Sequence, residues 1–91
     1  MMQTTTLTWL PASGYGVCYV AQKDYLLIET RKHPTTGFYY FVVSDTKSLS
    51  HKRAPLEIYS SVNERWGEKT RNARRACELA ELWLSTRQAK R

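Results

Sequence analysis

Hydrophobic positions recur at helical spacing in one long stretch of the chain, Thr70–Thr86, TRNARRACELAELWLST. Stepping about 100° per residue from Ala73 brings Ala73, Ala76, Cys77, Leu79, Ala80, Trp83 and Leu84 onto one face. Arg71, Arg74, Arg75, Glu78, Glu81 and Ser85 fall on the other. The pattern predicts an amphipathic helix whose apolar stripe is small at its start and bulky at its end. Such a stripe suits the flat surface of a β-sheet, with Ala80 and Trp83 at the centre of the contact. Thr70, following the chain-breaking Gly67, is the expected N-cap.

Upstream the period changes to two. Thr4–Leu10 alternates with Leu7 and Trp9 on one side, as in a strand that Pro11 ends, and Ala12–Gly14 has the composition of a turn. Tyr15–Val20 alternates again, and Gln22–Asp24 reads as a short polar connection. Tyr25–Thr30, YLLIET, gives a third strand. Phe38–Val43, FYYFVV, is too short, aromatic and β-branched to prefer a helix and gives a fourth. Between them the loop Arg31–Gly37 is broken by Pro34 and Gly37, so these two strands are expected to form the central hairpin. Ser44–Ala54 is polar and aperiodic and reads as an exposed loop. Pro55–Gly67 is ambiguous. Leu56, Ile58 and Ser60 alternate as in a strand, which is preferred, while Pro55 as a first helical residue and Ser61 with Glu64 as a capping box keep a helix open.

Together these elements predict an α+β fold: a small antiparallel meander of four or five strands packed by one C-terminal amphipathic helix, in a single domain spanning residues 1–91. Strands three and four are apolar on both faces, and one helix covers one face only. The other is expected to carry half-exposed aromatic side chains, with Tyr25, Tyr39 and Tyr40 as candidates for an aromatic interface with a second copy of the chain or another protein. Half-exposed tyrosines covered by the N-terminal strands satisfy the same pattern.

Charge sharpens this picture. Lys and Arg number 14 against 8 Asp and Glu, a net charge of +6, while the first 22 residues carry no charge. The basic residues therefore gather late in the chain, which points towards a polyanionic partner. Lys69, Arg71, Arg74 and Arg75 stand where a helix dipole prefers negative charge, and Lys52 and Arg53 lie in the polar loop. Those six residues are the candidate anion- or partner-binding set, since free N–H groups and arginines suit phosphate or carboxylate. A solvated charged face gives the same spacing. Cys18 and Cys77 lie outside any Cys-x-x-Cys pair and fit reduced core thiols. His33 and His51 have no ligand spacing, so no metal or cofactor is expected. No paired acids, no nucleophile beside a base and no glycine-rich phosphate loop are present, which argues against an enzyme. The start of the chain has no signal-peptide pattern, and no apolar run approaches a membrane span, so a cytoplasmic location without membrane attachment is expected.

From Tyr25 onward, the order YLLIET, FYYFVV and LEIYS followed by KTRNARRACELAELWL resembles the three-stranded-sheet-plus-helix domain of the arm-binding region of tyrosine recombinases and of plant ethylene-response factors. That resemblance implies a sheet docked in a DNA groove through basic and aromatic side chains. Here the basic residues lie instead in loops and on the helix. Over nearly the whole chain, LTW, YGVCYVA, DYLLIE, WGEKT and the alanine-rich helix ending ELAELWL are similar to short accessory proteins of phages and prophages, a group that includes anti-CRISPR inhibitors of bacterial defence. This second resemblance implies a non-enzymatic protein that occupies the surface of a host protein or ribonucleoprotein. The alternative expectation is a DNA- or RNA-binding domain that contacts phosphates through the helix start and the Lys52/Arg53 loop.

Overall fold

In a computed structural model, which describes residues 6–12, 14, 16–49, 52–61 and 70–89 (the last three of these without their side chains), the two apolar runs form neighbouring central strands. The elements are β1 (Leu10–Pro11), β2 (Val17–Lys23), β3 (Leu26–Lys32), β4 (Tyr39–Leu49), β5 (Pro55–Ser60) and α1 (Ala73–Ala89). The strands make one antiparallel sheet in the order β1-β2-β3-β4-β5, a simple meander with the helix packed on one face. This is the α+β architecture that the periodicities imply.

Alternation explains which residues enter the core. Ile28 pairs with Val43 and Thr30 with Phe41, so these four share the face towards the helix. They meet Leu79, Ala80 and Leu84 of α1 in the buried cluster, with Ala76 fully buried beside it. Leu7, Trp9, Tyr59 and Trp83 pack around its margin. Trp83 is half-buried and not fully enclosed, stacking on Tyr59 at 4.8 Å between ring centroids and lying 6.3 Å from Phe41. Val42 is buried on the opposite face, so that face is not an open aromatic surface at its centre.

Several boundaries differ from those the sequence suggests, each for a local reason. Of the described N-terminal residues, Leu10 and Pro11 alone pair with β2; a strand through Thr4–Leu10 does not form over its described part. Leu7 donates its N–H to the Glu81 carboxylate at 2.8 Å instead of to a neighbouring strand, and the Trp9 indole N–H reaches the same oxygen at 3.1 Å. Gln22 and Lys23 are not a connection but the end of β2, because Lys23 pairs with Leu26 and the chain reverses through Asp24 and Tyr25 alone. Asp24 takes a left-handed φ of 55° there, which an Asp tolerates in a tight turn.

Arg31 and Lys32 continue β3 by pairing with Tyr40 and Tyr39, and Phe38 lies just outside β4. The polar stretch after Val43 is a strand to Leu49 and not a loop. Ser44 and Asp45 have partners on both sides, and Thr46 clamps its N–H and hydroxyl on the Tyr25 carbonyl, each at 2.7 Å. Polarity misled there because β4 outruns β3, whose last rung is Leu26 with Asp45, leaving its far end no core to face.

The strand alternative for the ambiguous stretch holds for Pro55–Ser60. Ser61 continues the connection to β4 by accepting the Phe41 N–H on its hydroxyl at 2.9 Å, while its expected partner Glu64 lies outside the described residues. The helix is capped by Asn72, not Thr70. Asn72 accepts the Arg74 N–H on its side chain at 2.9 Å, while the Thr70 carbonyl accepts the Tyr39 N–H at 2.8 Å and joins the sheet. Ser85, placed on the polar face by its period, is buried, its hydroxyl donating to the Glu81 carbonyl at 2.9 Å.

Trp83→Ala removes the ring that stacks on Tyr59 and packs beside Phe41 and is expected to cost about 3 kcal/mol in urea denaturation, the lower end of the large-to-small range because Trp83 keeps some exposure. A loss under about 0.5 kcal/mol, as for an ordinary surface substitution, would contradict this packing.

Candidate functional site

Two ends of the sheet carry the features that a partner could use. At one end, the loop 33–38 joins β3 to β4 and lies beside the lead-in to α1. It is internally fixed: His33 donates its N–H to the Phe38 carbonyl at 2.9 Å and its carbonyl accepts the Gly37 N–H at 3.0 Å. The His33 Nδ1 also accepts the N–H groups of Thr35 and Thr36 at 3.2 and 3.3 Å. The antiparallel bridge between Tyr39 and Thr70 then brings Arg71 against this loop, with its guanidinium over the Phe38 ring at 4.9 Å.

At the other end, β4 and β5 run on as a two-stranded arm past the turn at Asp24–Tyr25. Between Leu49 and Pro55, Arg53 takes a left-handed conformation at φ 58°. Leu49 is exposed to 60% on this arm, and Leu56 and Ile58 to 42% and 37% on the edge strand β5 next to it, values that separate them from the fully buried side chains of the sheet centre. Lys47 lies over the Tyr25 ring at 5.0 Å. Tyr25 therefore belongs to the base of the arm, in the turn and not in a strand.

The six basic candidates consequently do not converge. Lys52 and Arg53 are at the arm tip, whereas Arg71, Arg74 and Arg75 are beside the start of β4. The eleven residues of β4 from Tyr39 to Leu49 separate the groups by roughly 30 Å. Arg75 forms a 3.1 Å ion pair with Glu78, which accounts for it as a helix-surface partner. Arg74 is exposed. Lys69 lies outside the described residues, as do His51 and Trp66.

The aromatic candidates also separate. Successive residues of β4 point to opposite faces, so Tyr39 shares the helix side with Phe41 while Tyr40 lies on the other. Tyr40 pairs across the sheet with Arg31, which is ion-paired to Glu29 at 2.7 Å. Burial disfavours the charged form of Arg31, but its bonds to Glu29 and Tyr40 outweigh that and raise its pKa above the ordinary value. This is a supported polar group on the sheet face away from the helix. Lys32 and Phe38, absent from the candidate set, are the residues that complete the Arg71 end; the run RKHPTTGF held that signal in its two cations beside a Pro/Gly loop.

A third feature is an open cleft of about 340 Å³ lined by Trp9, Tyr19, Arg74, Cys77, Glu78 and Glu81. A bulge at Cys18 helps shape it: Val17 pairs with Arg31 but Tyr19 with Thr30, and the Tyr19 N–H bonds the Thr30 hydroxyl at 3.1 Å. Both cysteines are free thiols, Cys77 buried and Cys18 half-buried. Burial pushes the Cys77 thiol from 9.0 up to about 11, so it stays protonated near neutral pH and is a poor nucleophile. Among the described residues no group of three or more His, Cys, Asp and Glu could hold a metal ion, and no helix is long and apolar enough to cross a membrane.

No protein-family model matches the chain. No curated protein matches it, and no solved structure does.

Timed alkylation with iodoacetamide at pH 8, read by mass spectrometry, is expected to label Cys18 well before Cys77, whose reaction should follow the rate of unfolding. Raising the pH through 9 deprotonates the Cys77 thiol in the unfolded chain first, so its contribution to stability falls between about 9 and about 11. Equal labelling rates for the two thiols would contradict the burial of Cys77.

Proposed function

We propose that the chain is a small non-enzymatic binding protein that acts by occupying the surface of another macromolecule. The partner class is a host protein or ribonucleoprotein, in the phage or mobile-element setting, including inhibition of bacterial defence, that the resemblance of the sequence suggests. The observation that carries the proposal is the overhanging β4–β5 arm. It exposes Leu49, with Leu56 and Ile58 exposed next to it along the edge strand β5, while Lys47, Lys52 and Arg53 stand on the arm. Exposed apolar side chains ringed by cations suit a partner face that is apolar at its centre and acidic at its rim.

The arm also has the mechanical support a docking element needs. A two-stranded ribbon alone is marginal in water, but this one continues strands anchored in the core at Phe41 and Val43. The edge of β5 is free of any further strand among the described residues, so backbone pairing is available to an extended segment of the partner.

A pull-down from host lysate with and without nuclease tests the proposal against a double variant, Leu49→Ser with Leu56→Ser. Both positions are exposed, so the fold should change by under about 0.5 kcal/mol. Nuclease-resistant capture that falls at least tenfold in the variant is the expected result. Capture that vanishes with nuclease, or that the variant retains in full, would contradict it. Sedimentation of the isolated chain covers the homodimer alternative: a dimer dissolved by the same substitutions would assign the arm to a second copy.

A further inference from the structure

At the end of the molecule opposite the arm, we propose that His33 is a pH-sensitive lock on the loop 33–38, closed while its imidazole is neutral and released when the ring is protonated. The imidazole Nδ1 accepts the N–H groups of Thr35 and Thr36 at 3.2 and 3.3 Å. A neutral imidazole has one acceptor nitrogen, whereas an imidazolium carries N–H on both nitrogens and accepts nothing. Both bonds therefore require the form with its proton on Nε2. The proton added in acid goes to Nδ1, and three N–H groups then face one another where a lone pair stood.

The local chemistry is that of a turn opened by a side-chain acceptor. Asn, Asp or Ser ordinarily stands at the first position of such a turn, with Pro after it, and accepts a backbone N–H two residues on. Here the order is His33, Pro34, Thr35, Thr36 and Gly37, with Gly37 at a left-handed φ of 76°. The His33 Nδ1 takes the place of the Asn side-chain oxygen, since each atom is bonded to Cγ. An Asn acceptor does not titrate, but an imidazole ordinarily does so between about pH 5 and 8.

The surroundings give an imidazolium nothing in exchange for the lost bonds. The ring lies beside Tyr40 of β4, at 6.4 Å between centroids, and Tyr40 pairs with Arg31 of β3. Arg31 is ion-paired with Glu29, so that carboxylate is already committed. Lys32 precedes His33 in the chain, and Arg71 of the lead-in to α1 stands over Phe38 at the end of the loop, so the other charged neighbours are cations. The ion pairs among the described residues, Arg31 with Glu29 and Arg75 with Glu78, do not include His33.

Release reaches the surface through Thr36. Its hydroxyl accepts the Phe38 N–H at 3.3 Å, and the Phe38 ring lies under the Arg71 guanidinium at 4.9 Å. Freeing Thr35 and Thr36 therefore loosens the support of the Arg71–Phe38 contact, which is presented in one arrangement at neutral pH and not in acid. This device is separate from the arm, at the far end of β4, so either can fail while the other stands.

The test is nuclear magnetic resonance of the full chain, labelled with nitrogen-15, over about pH 8 to 5. At the alkaline end the His33 ring should carry its proton on Nε2, with Nδ1 bare. On acidification the Thr35 and Thr36 amides should shift with the midpoint of the ring itself, and their order parameters should fall from about 0.85 to under about 0.6. His33→Asn keeps the acceptor and removes the titration, so both amides should stay ordered and unshifted at either end of the range. His33→Ala should show at the alkaline end the low order parameters that the parent chain reaches only in acid. A proton on Nδ1 at the alkaline end, or amides that stay fixed while the ring titrates, would overturn the proposal. So would the same pH response in His33→Asn, which would place the titrating group elsewhere.

Discussion

The close seating of α1 on the sheet is the constraint from which the rest follows. Ala76 and Ala80 are fully buried, and side chains of this size let the helix backbone come down onto Ile28, Thr30, Phe41 and Val43, which are themselves fully buried. Leu79 and Leu84 fill the flanks, and Trp83 extends the contact to Tyr59 of β5 by stacking. The helix lies over β2, β3 and β4. That leaves the far part of β4 and most of β5 outside the cover of the helix, where Leu49 and Leu56 are exposed. It also fixes the other end, because a helix seated this way needs a lead-in at Thr70, and the Thr70 carbonyl takes the Tyr39 N–H. Arg71 then has nowhere to stand but beside the loop 33–38.

One packing choice thereby separates two surfaces of different chemistry. The arm offers apolar side chains and an unpaired edge at the end of a ribbon that can bend. The loop end offers Arg71, over the Phe38 ring, beside a main chain held by its own hydrogen bonds. The cleft near Cys77 lies between them, and its Glu81 is already committed to Leu7 and Trp9, so it serves the attachment of the N-terminal segment.

How much of this was legible in the sequence depended on which force set each element. The central strands and the helix follow from apolar periodicity, since their positions are decided by burial; Ala76, Cys77, Leu79, Ala80 and Leu84 are all buried as their spacing requires. The polarity of Ser44, Asp45 and Thr46 hid half of β4, because these residues are held by rungs and by the Tyr25 carbonyl and not by a core. The cap moved from Thr70 to Asn72 because a tertiary bond from Tyr39 claimed the Thr70 carbonyl, a contact between distant parts of the chain that no local pattern encodes. The basic residues were legible as types. Their grouping was not, since adjacency of Lys32 to Arg71 depends on the β3–β4 register and on the Tyr39–Thr70 bridge. Nothing in composition separates the arm-tip cations from those at the helix start.

The claim that a rigid centre holds an uncovered arm away from the helix is tested most directly by native-state hydrogen exchange, residue by residue. The amides of Ile28 and Val43, in the rungs under α1, should exchange only through global unfolding. Those of Lys47 and Leu49 should exchange at least about 100-fold faster through local opening of the ribbon. Protection of the arm equal to that of Ile28 and Val43 would mean that it is part of the core, and the account of an overhanging docking element would be wrong.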